Sequence, residues 1–309
     1  MDRFTPEHVA TWRREGGVLI ENFFTPEEVA AVAADFTQVF GPGEAADAPL
    51  VKARDRVGGF HQAQFKTLES VPLDCSPALN LIGVHPALIA FARAALETPD
   101  LHLYQNQAWA KATGAADYDQ PFHCDYLNHT LVAPSEDPRR NTMTFFCYFS
   151  DVTEAHGPMH YVPKSDSERI AGPEATLGDP GRQAELHRRL APFARSTAAP
   201  AGSLFAYGID IYHRGTNLTA PQGRRFAVTS CFKRRDDPTI GYTAWPFHHT
   251  KPWARIFDHA TPEQLACFGV APPGDPFWTQ TTLARAQARY PNWDLAPYRA
   301  AMPKAAMRA

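Results

Sequence analysis

Cysteine is scarce in this chain. Its 309 residues include five, at Cys75, Cys124, Cys147, Cys231 and Cys267, odd in number and never spaced as CxxC. That argues against a disulfide framework and predicts a reducing, cytoplasmic setting. A dominant charge is also missing. The 30 Lys and Arg nearly balance 33 Asp and Glu, for a net charge of -3. No general attraction to nucleic acid or to an anionic membrane is therefore expected. No run of apolar residues reaches the roughly 18 without interruption that would span a bilayer. Residues Met1–Ala10 include Asp2, Arg3 and Glu7 and have no apolar centre, so they do not read as a signal peptide. Internal repeats, low-complexity tracts and an obvious linker are lacking too. One domain over 1–309 is the simplest expectation.

What is present suffices for a packed core: 44% of residues are hydrophobic and 12% aromatic. The start of the chain reads as helix, strand, helix. Thr5-Pro6-Glu7 combines an N-cap with proline at the first helical position, and Gly16-Gly17 should end that helix. Val18-Leu19-Ile20 is strand-like. Thr25 with Glu28 three positions on forms a capping box, Val29, Val32, Ala33 and Phe36 mark one helical face, and Gly41-Pro42-Gly43 closes it. Residues 41–75 read as an irregular polar loop able to close over a site. Pro77 to Leu96 reads as a helix in two pieces, broken near Gly83–Pro86.

From Leu101 the character changes. Strands are expected from Leu101 to Lys111, Thr142 to Phe149, Met159 to Val162, Ser203 to Tyr207 and Phe226 to Phe232, with Gly and Pro between them. Residues 164–200 read as a polar insertion with a helical piece around Gln183–Leu190. The last seventy residues, rich in Pro and Trp, read as coil and short helices on the outside. The pattern predicts a mainly β protein with flanking helices, a sandwich or barrel, its β core at about 100–235, N-terminal helices at 5–96 and a C-terminal extension at 236–309.

The chemistry-bearing residues lie in that core. Of thirteen histidines only His123 has an aspartate two positions on. In an extended chain His123 and Asp125 share a side while Cys124 faces away. His213, ninety residues later, offers a third ligand near a strand end. Two imidazoles and one carboxylate bind a divalent iron on one face and leave the other open, although zinc hydrolysis accepts the same set. The pair Arg224-Arg225 favours iron, because a guanidinium can grip the far carboxylate of a keto-acid cosubstrate. On a strand the two arginines face opposite ways. Arg225 shares its side with Ala227 and Thr229, which leaves room for a ligand, whereas Arg224 sides with Phe226 and Val228; Arg225 is preferred and Arg224 stays open.

Four segments, in order, resemble one family. They are TPEHVATWRREGGVLIENFFTPEEVAAV near the start, QPFHCDY, DVTEAHGPMHYVPKS, and GSLFAYGIDIYHRGTNLTAPQGRRFAVTSCF. Together they are similar to the phytanoyl-CoA dioxygenase-like branch of the iron(II)/2-oxoglutarate-dependent oxygenases. The third departs from the family's pattern, with His156 in place of its Asn and Lys164-Ser165-Asp166 in place of its Gly-Ser-His. The resemblance implies a double-stranded β-helix (jelly-roll, cupin-like) core. It implies Fe(II) on His123, Asp125 and His213, 2-oxoglutarate anchored by Arg225 or Arg224, and O2 as oxidant. Gln105 matches a position that often contacts the cosubstrate. Thr144 and Tyr148 are candidates for the same cavity, and Trp109 and Lys111 for the substrate side. Retention of Asp125 disfavours halogenation, since related halogenases carry a small residue there. Hydroxylation of an unactivated C–H bond in a small organic molecule, releasing succinate and CO2, is the expected activity. Desaturation, epoxidation or ring closure on the same fold, and a non-redox metal-binding barrel, are the alternatives.

Other histidines are discounted. His156 and His160 have i, i+4 spacing, but Gly157-Pro158 between them prevents the helix that would align them. His248-His249 would diverge on an extended chain, and Cys124 reads as a small packed residue.

Overall fold

The computed structural model describes residues 3–41, 65–113, 119–129, 134–135, 137–171, 180–237, 252–275 and 277–302. The strands are β1 (Gly17–Ile20), β2 (Phe65–Ser70), β3 (Leu101–Ala112), β4 (Met143–Tyr148), β5 (Met159–Tyr161), β6 (Arg195–Ser196), β7 (Leu204–Gly208), β8 (His213–Gly215) and β9 (Arg224–Arg234). The helices are α1 (Pro6–Glu15), α2 (Pro26–Phe40), α3 (Pro77–Ile82), α4 (Pro86–Leu96), α5 (Tyr126–His129), α6 (Lys164–Ala171), α7 (Pro180–Leu190), α8 (Ala254–Phe257), α9 (Pro262–Cys267), α10 (Gln280–Arg289) and α11 (Ala296–Ala300).

Local chemistry explains the first third of the chain. Thr5 accepts a hydrogen bond from the His8 backbone and Thr25 one from the Glu28 backbone, each with proline in the first turn, and α1 ends on Gly16 in the left-handed conformation. The apolar stretch Pro77–Leu96 is 20 residues long and contains an 18-residue window with a mean hydropathy of 1.5, long and apolar enough by length and composition to cross a membrane. It folds as the two helices α3 and α4, broken at Gly83–His85, and buries Leu79, Ile82, Leu88, Ile89 and Phe91 in the core. The break puts Gly83 against Asn106 of β3, where a Cβ would lie 2.5 Å from the amide.

Six strands form an antiparallel sheet in the order β1-β7-β4-β9-β3-β2, and three form a smaller sheet, β6-β5-β8. Helices α1–α4 cover the outer face of the large sheet. There Phe36 of α2 stacks on Phe226 of β9, centroids 4.8 Å apart, and Phe91 of α4 meets Phe145 of β4. Full burial of a side chain such as Phe36 contributes about 1.5–3 kcal/mol. The inner face packs on the small sheet through Phe146, Tyr148, Phe205, Tyr207, Met159 and Tyr161. This is the double-stranded β-helix. A C-terminal layer, α8–α11, has its own aromatic cluster of Trp278, Trp293 and Tyr298, with Val71 packed into it.

The expected strands all occur, the last extended at both ends to Arg224–Arg234. One expectation is corrected. The segment 41–75 is not loop throughout: Phe65–Ser70 is an edge strand paired with β3. Its polar sequence conceals it, because an edge strand tolerates charge and its partner lies forty residues away. Residues 42–64, expected to close over a site, lie outside the described residues. The insertion 164–200 holds α7 where expected and, in addition, α6 and the two-residue β6.

Candidate metal centre

Register turns the inner face of the large sheet into rows of side chains. Tyr207, Thr144, Cys231 and Gln105 lie abreast on β7, β4, β9 and β3. The next row is Phe205, Phe146, Thr229 and Gln107, then Tyr148, Ala227 and Trp109, and finally Arg225 opposite Lys111. A bulge at Tyr104 sets this pattern on β3. It shifts the pairing between Leu103 and Gln105 and so turns Gln105, Gln107 and Trp109 inward.

His123 and His213 sit over the first row. Each donates its backbone N–H to the other's carbonyl at 3.0 Å, a single antiparallel bridge that extends the small sheet past β8. His213 therefore opens β8. The His123 Nδ1 lies 3.0 Å from the Pro121 carbonyl, and the His213 Nδ1 lies 3.0 Å from that of Ile211. A carbonyl only accepts, so both Nδ1 atoms carry a proton and both Nε2 atoms are left to face the carboxylate. Those Nε2 atoms lie 4.0 and 3.6 Å from Asp125 Oδ1. The ligand atoms of His123, Asp125 and His213 all fall within 4.8 Å of one another and can hold a metal ion. Cys124 points away and donates to the Asp210 carbonyl at 3.4 Å.

The electrostatics suit a cation. Burial, reinforced by the neighbouring His213, lowers the His123 pKa to about 4, which keeps its ring neutral at pH 7. Burial opposes ionisation of Asp125, but His213, His129, His123 and a hydrogen bond from the Tyr207 hydroxyl outweigh it and hold its pKa below the usual aspartate value. That hydroxyl donates to Asp125 Oδ2 at 3.2 Å. His129, on the α5 turn that follows Asp125, lies 2.8 Å from the Tyr104 hydroxyl through its Nδ1.

The two arginines diverge as strand alternation requires. Arg224 lies on the outer side, over the Phe226 ring at 5.1 Å. Arg225 points inward and is 3% exposed. Its guanidinium leans back along the strand, 5.5 Å over Phe146 in the second row. Its Nη1 donates to the Gly157 carbonyl, and its Nε has no hydrogen-bond partner among the described residues. Burial lowers its pKa, countered by Tyr148, and among the described residues no carboxylate stands beside it. The Thr229 hydroxyl, in the second row, is likewise buried without a partner among the described residues. A buried cation and an unpaired hydroxyl on one path from the histidines fit an anionic ligand stretched between them.

The remaining expectations can be placed. Gln105 lies on the inner face, with its amide oxygen 3.2 Å from the Cys231 thiol and its nitrogen 2.9 Å from Gln107 Oε1. The Thr144 hydroxyl donates to the Cys231 sulfur. The Tyr148 hydroxyl is engaged by Thr197 and by the Met159 N–H, so it serves the joint between sheets. Trp109 packs in the inner-face cluster, and buried Lys111 donates to the Thr216 carbonyl. His156 bonds Thr153, and His160 lies 3.1 Å from Glu154; neither approaches a metal cluster. His248-His249 lie outside the described residues. Sequence reasoning did not find Tyr207, Phe146, His129 or the Gly157 carbonyl, because only strand register brings them to the site.

Fold and site together define a double-stranded β-helix protein with a two-histidine, one-carboxylate cluster facing a buried arginine. Residues 12–226 match the model of the phytanoyl-CoA dioxygenase (PhyH) family, and the chain belongs to that family. An ectoine dioxygenase of Bordetella parapertussis is 25% identical over 170 residues, 55% of this chain and 52% of that protein. One from Bordetella bronchiseptica is 24% identical over the same length. The chain thus spans about half the length of the curated relatives it matches. Among solved structures, the non-heme alpha ketoglutarate dependent carbocyclase SnoK from nogalamycin biosynthesis aligns with a TM-score of 0.56 at 19% identity, over 80% of this chain and 90% of that one. EctD from S. alaskensis, with 2-oxoglutarate and 5-hydroxyectoine, aligns with a TM-score of 0.55 at 15% identity, over 79% and 83%. At those identities the alignments speak for the fold.

Proposed function

We propose that the protein is an iron(II)/2-oxoglutarate-dependent dioxygenase that hydroxylates an unactivated C–H bond of a small organic molecule. One observation carries this reading. Two imidazole Nε2 atoms and one carboxylate oxygen converge with both Nδ1 protons already engaged, on the same inner face as a buried arginine that has no carboxylate beside it among the described residues. A hydrolytic metal site has no evident use for that arginine.

His123, Asp125 and His213 hold the metal in this reading. Iron, 2-oxoglutarate and O2 when bound supply the oxidising chemistry, with succinate and CO2 as the cosubstrate's products. The chain's own contribution is positional. Arg225 binds the distal carboxylate of the cosubstrate through a charge-assisted pair, and its burial strengthens that pair. Thr229 offers a hydroxyl on the path, and Gln105 an amide oriented by Cys231 and Gln107 at the metal end. The aromatic wall of Phe146, Tyr148, Phe205 and Trp109 keeps water from the oxidising centre. Arg224 stays outside.

The test is oxygen uptake and succinate formation by the purified protein with Fe(II) and 2-oxoglutarate, alone and with a panel of small organic molecules including ectoine. Slow 2-oxoglutarate-dependent uptake that accelerates with a substrate is expected. A folded, iron-loaded protein that consumes neither O2 nor 2-oxoglutarate under any of these conditions would sink the proposal.

A further inference from the structure

Asp125 has two carboxylate oxygens, and the structure treats them differently. Oδ1 faces the Nε2 atoms of His123 and His213 at 4.0 and 3.6 Å. Oδ2 accepts the Tyr207 hydroxyl at 3.2 Å, and among the described residues no other side chain donates to this carboxylate. Tyr207 is itself fixed. It is 3% exposed. Its ring stacks on Phe205 with centroids 5.3 Å apart and planes 15° from parallel, and lies 4.8 Å from the His213 ring. One side chain thus touches two of the three candidate ligands.

We infer that Tyr207 is a positioning residue that holds the Asp125 carboxylate in one rotation, with Oδ1 presented to the metal and Oδ2 withheld. This rests on the reading of His123, Asp125 and His213 as the metal's ligands. The physical reason is rotational freedom. A carboxylate turns easily about its last torsion, and both oxygens are good donors to a hard cation. A carboxylate free to offer both would occupy an additional coordination position beside the two histidines. That would take space the proposed reaction needs for cosubstrate and O2. The two imidazoles are already oriented by the Pro121 and Ile211 carbonyls, so the carboxylate is the ligand that still needs a brace. Partners of this kind outside the ligand set commonly change metal affinity by about 10- to 100-fold.

Tyr207→Phe removes the hydroxyl and keeps the ring with its contacts to Phe205 and His213. The test measures Mn(II) affinity of the metal-free protein by calorimetry, the visible spectrum of the Co(II)-loaded protein, and thermal stability without metal. Tyr207→Phe is expected to weaken Mn(II) binding about 10-fold or more, to alter the Co(II) spectrum, and to leave the metal-free melting temperature close to that of the unaltered protein. A purely structural role would lower the melting temperature and leave the spectrum alone, which would overturn the inference. So would unchanged Mn(II) affinity in Tyr207→Phe when Asp125→Ala has lost binding. If Asp125→Ala binds Mn(II) as the unaltered protein does, the ligand reading itself fails, and the role of Tyr207 fails with it.

Discussion

His123 and His213 lie ninety residues apart in the chain, yet each donates its backbone N–H to the other's carbonyl at 3.0 Å. The two candidate ligands are therefore spaced by a β-bridge rather than by side-chain packing. Exchanging one side chain leaves the bridge in place.

His213→Ala should accordingly fold and fail in chemistry. It is expected to lose substrate turnover and uncoupled succinate formation together, with far-ultraviolet circular dichroism unchanged. Undiminished 2-oxoglutarate decarboxylation in this variant would remove His213 from the ligand set.

The two arginines should separate cleanly. Arg225→Leu is expected to weaken 2-oxoglutarate binding by about 2–5 kcal/mol, the scale of a lost buried charge-assisted pair. Because Arg225 is buried with no carboxylate beside it among the described residues, the leucine variant should also match or exceed the unaltered protein in stability without cosubstrate. It should lose the rise in melting temperature that 2-oxoglutarate confers. Arg224→Leu removes a guanidinium over Phe226 on the outer side, and should change cosubstrate affinity by less than about 0.5 kcal/mol. Titration of both variants by calorimetry decides between them; the reverse result would mean the guanidinium on the other face does the anchoring.

Gly157 couples stability to the same site. Its φ is +67°, and a Cβ there would lie 2.5 Å from the Thr216 carbonyl oxygen and 2.7 Å from that of Asn217. Its own carbonyl accepts from Arg225. Gly157→Ala is expected to cost roughly 1–3 kcal/mol by urea denaturation and to raise the KM for 2-oxoglutarate as the guanidinium shifts. Full stability with an unchanged KM would show that this turn relaxes without disturbing Arg225.

Acid should expose the N-terminal ion network. Burial opposes ionisation of Glu28, but the Arg3 guanidinium, the Thr25 N–H and His85 outweigh it and take its pKa from 4.5 to about 2. A depressed folded pKa stabilises the fold above the unfolded value and loses that contribution as pH falls toward the folded one. Glu28→Gln keeps a capping oxygen for Thr25 and removes the charge. It should be less stable at pH 7 by about 1–2 kcal/mol, and the gap to the unaltered protein should close between about pH 4.5 and pH 2. A gap that is constant across that range would mean the charge contributes nothing.

Much of this molecule was legible because it is locally encoded. Thr25 with Glu28 and Pro26 announces α2, and Gly83–Pro86 announces the break between α3 and α4, because capping and backbone restriction act within a few residues. Strand alternation separated Arg225 from Arg224, the small neighbours Ala227 and Thr229 favoured Arg225, and Arg225 is buried in the structure. The edge strand β2 was not legible, since its pairing partner is remote and its composition polar.

The sequence by itself determined the boundaries of α1 to α4, the β character of the core and the residue types that can bind a metal, because these follow from torsional preference, periodicity and donor chemistry. Tertiary structure decided which atoms meet. The bulge at Tyr104 chose the face that Gln105 and Gln107 present, and the register of β7 on β4 put Tyr207 beneath Asp125. Strand registry is settled by contacts between distant segments, and a one-residue slip would send every one of those side chains to the opposite face.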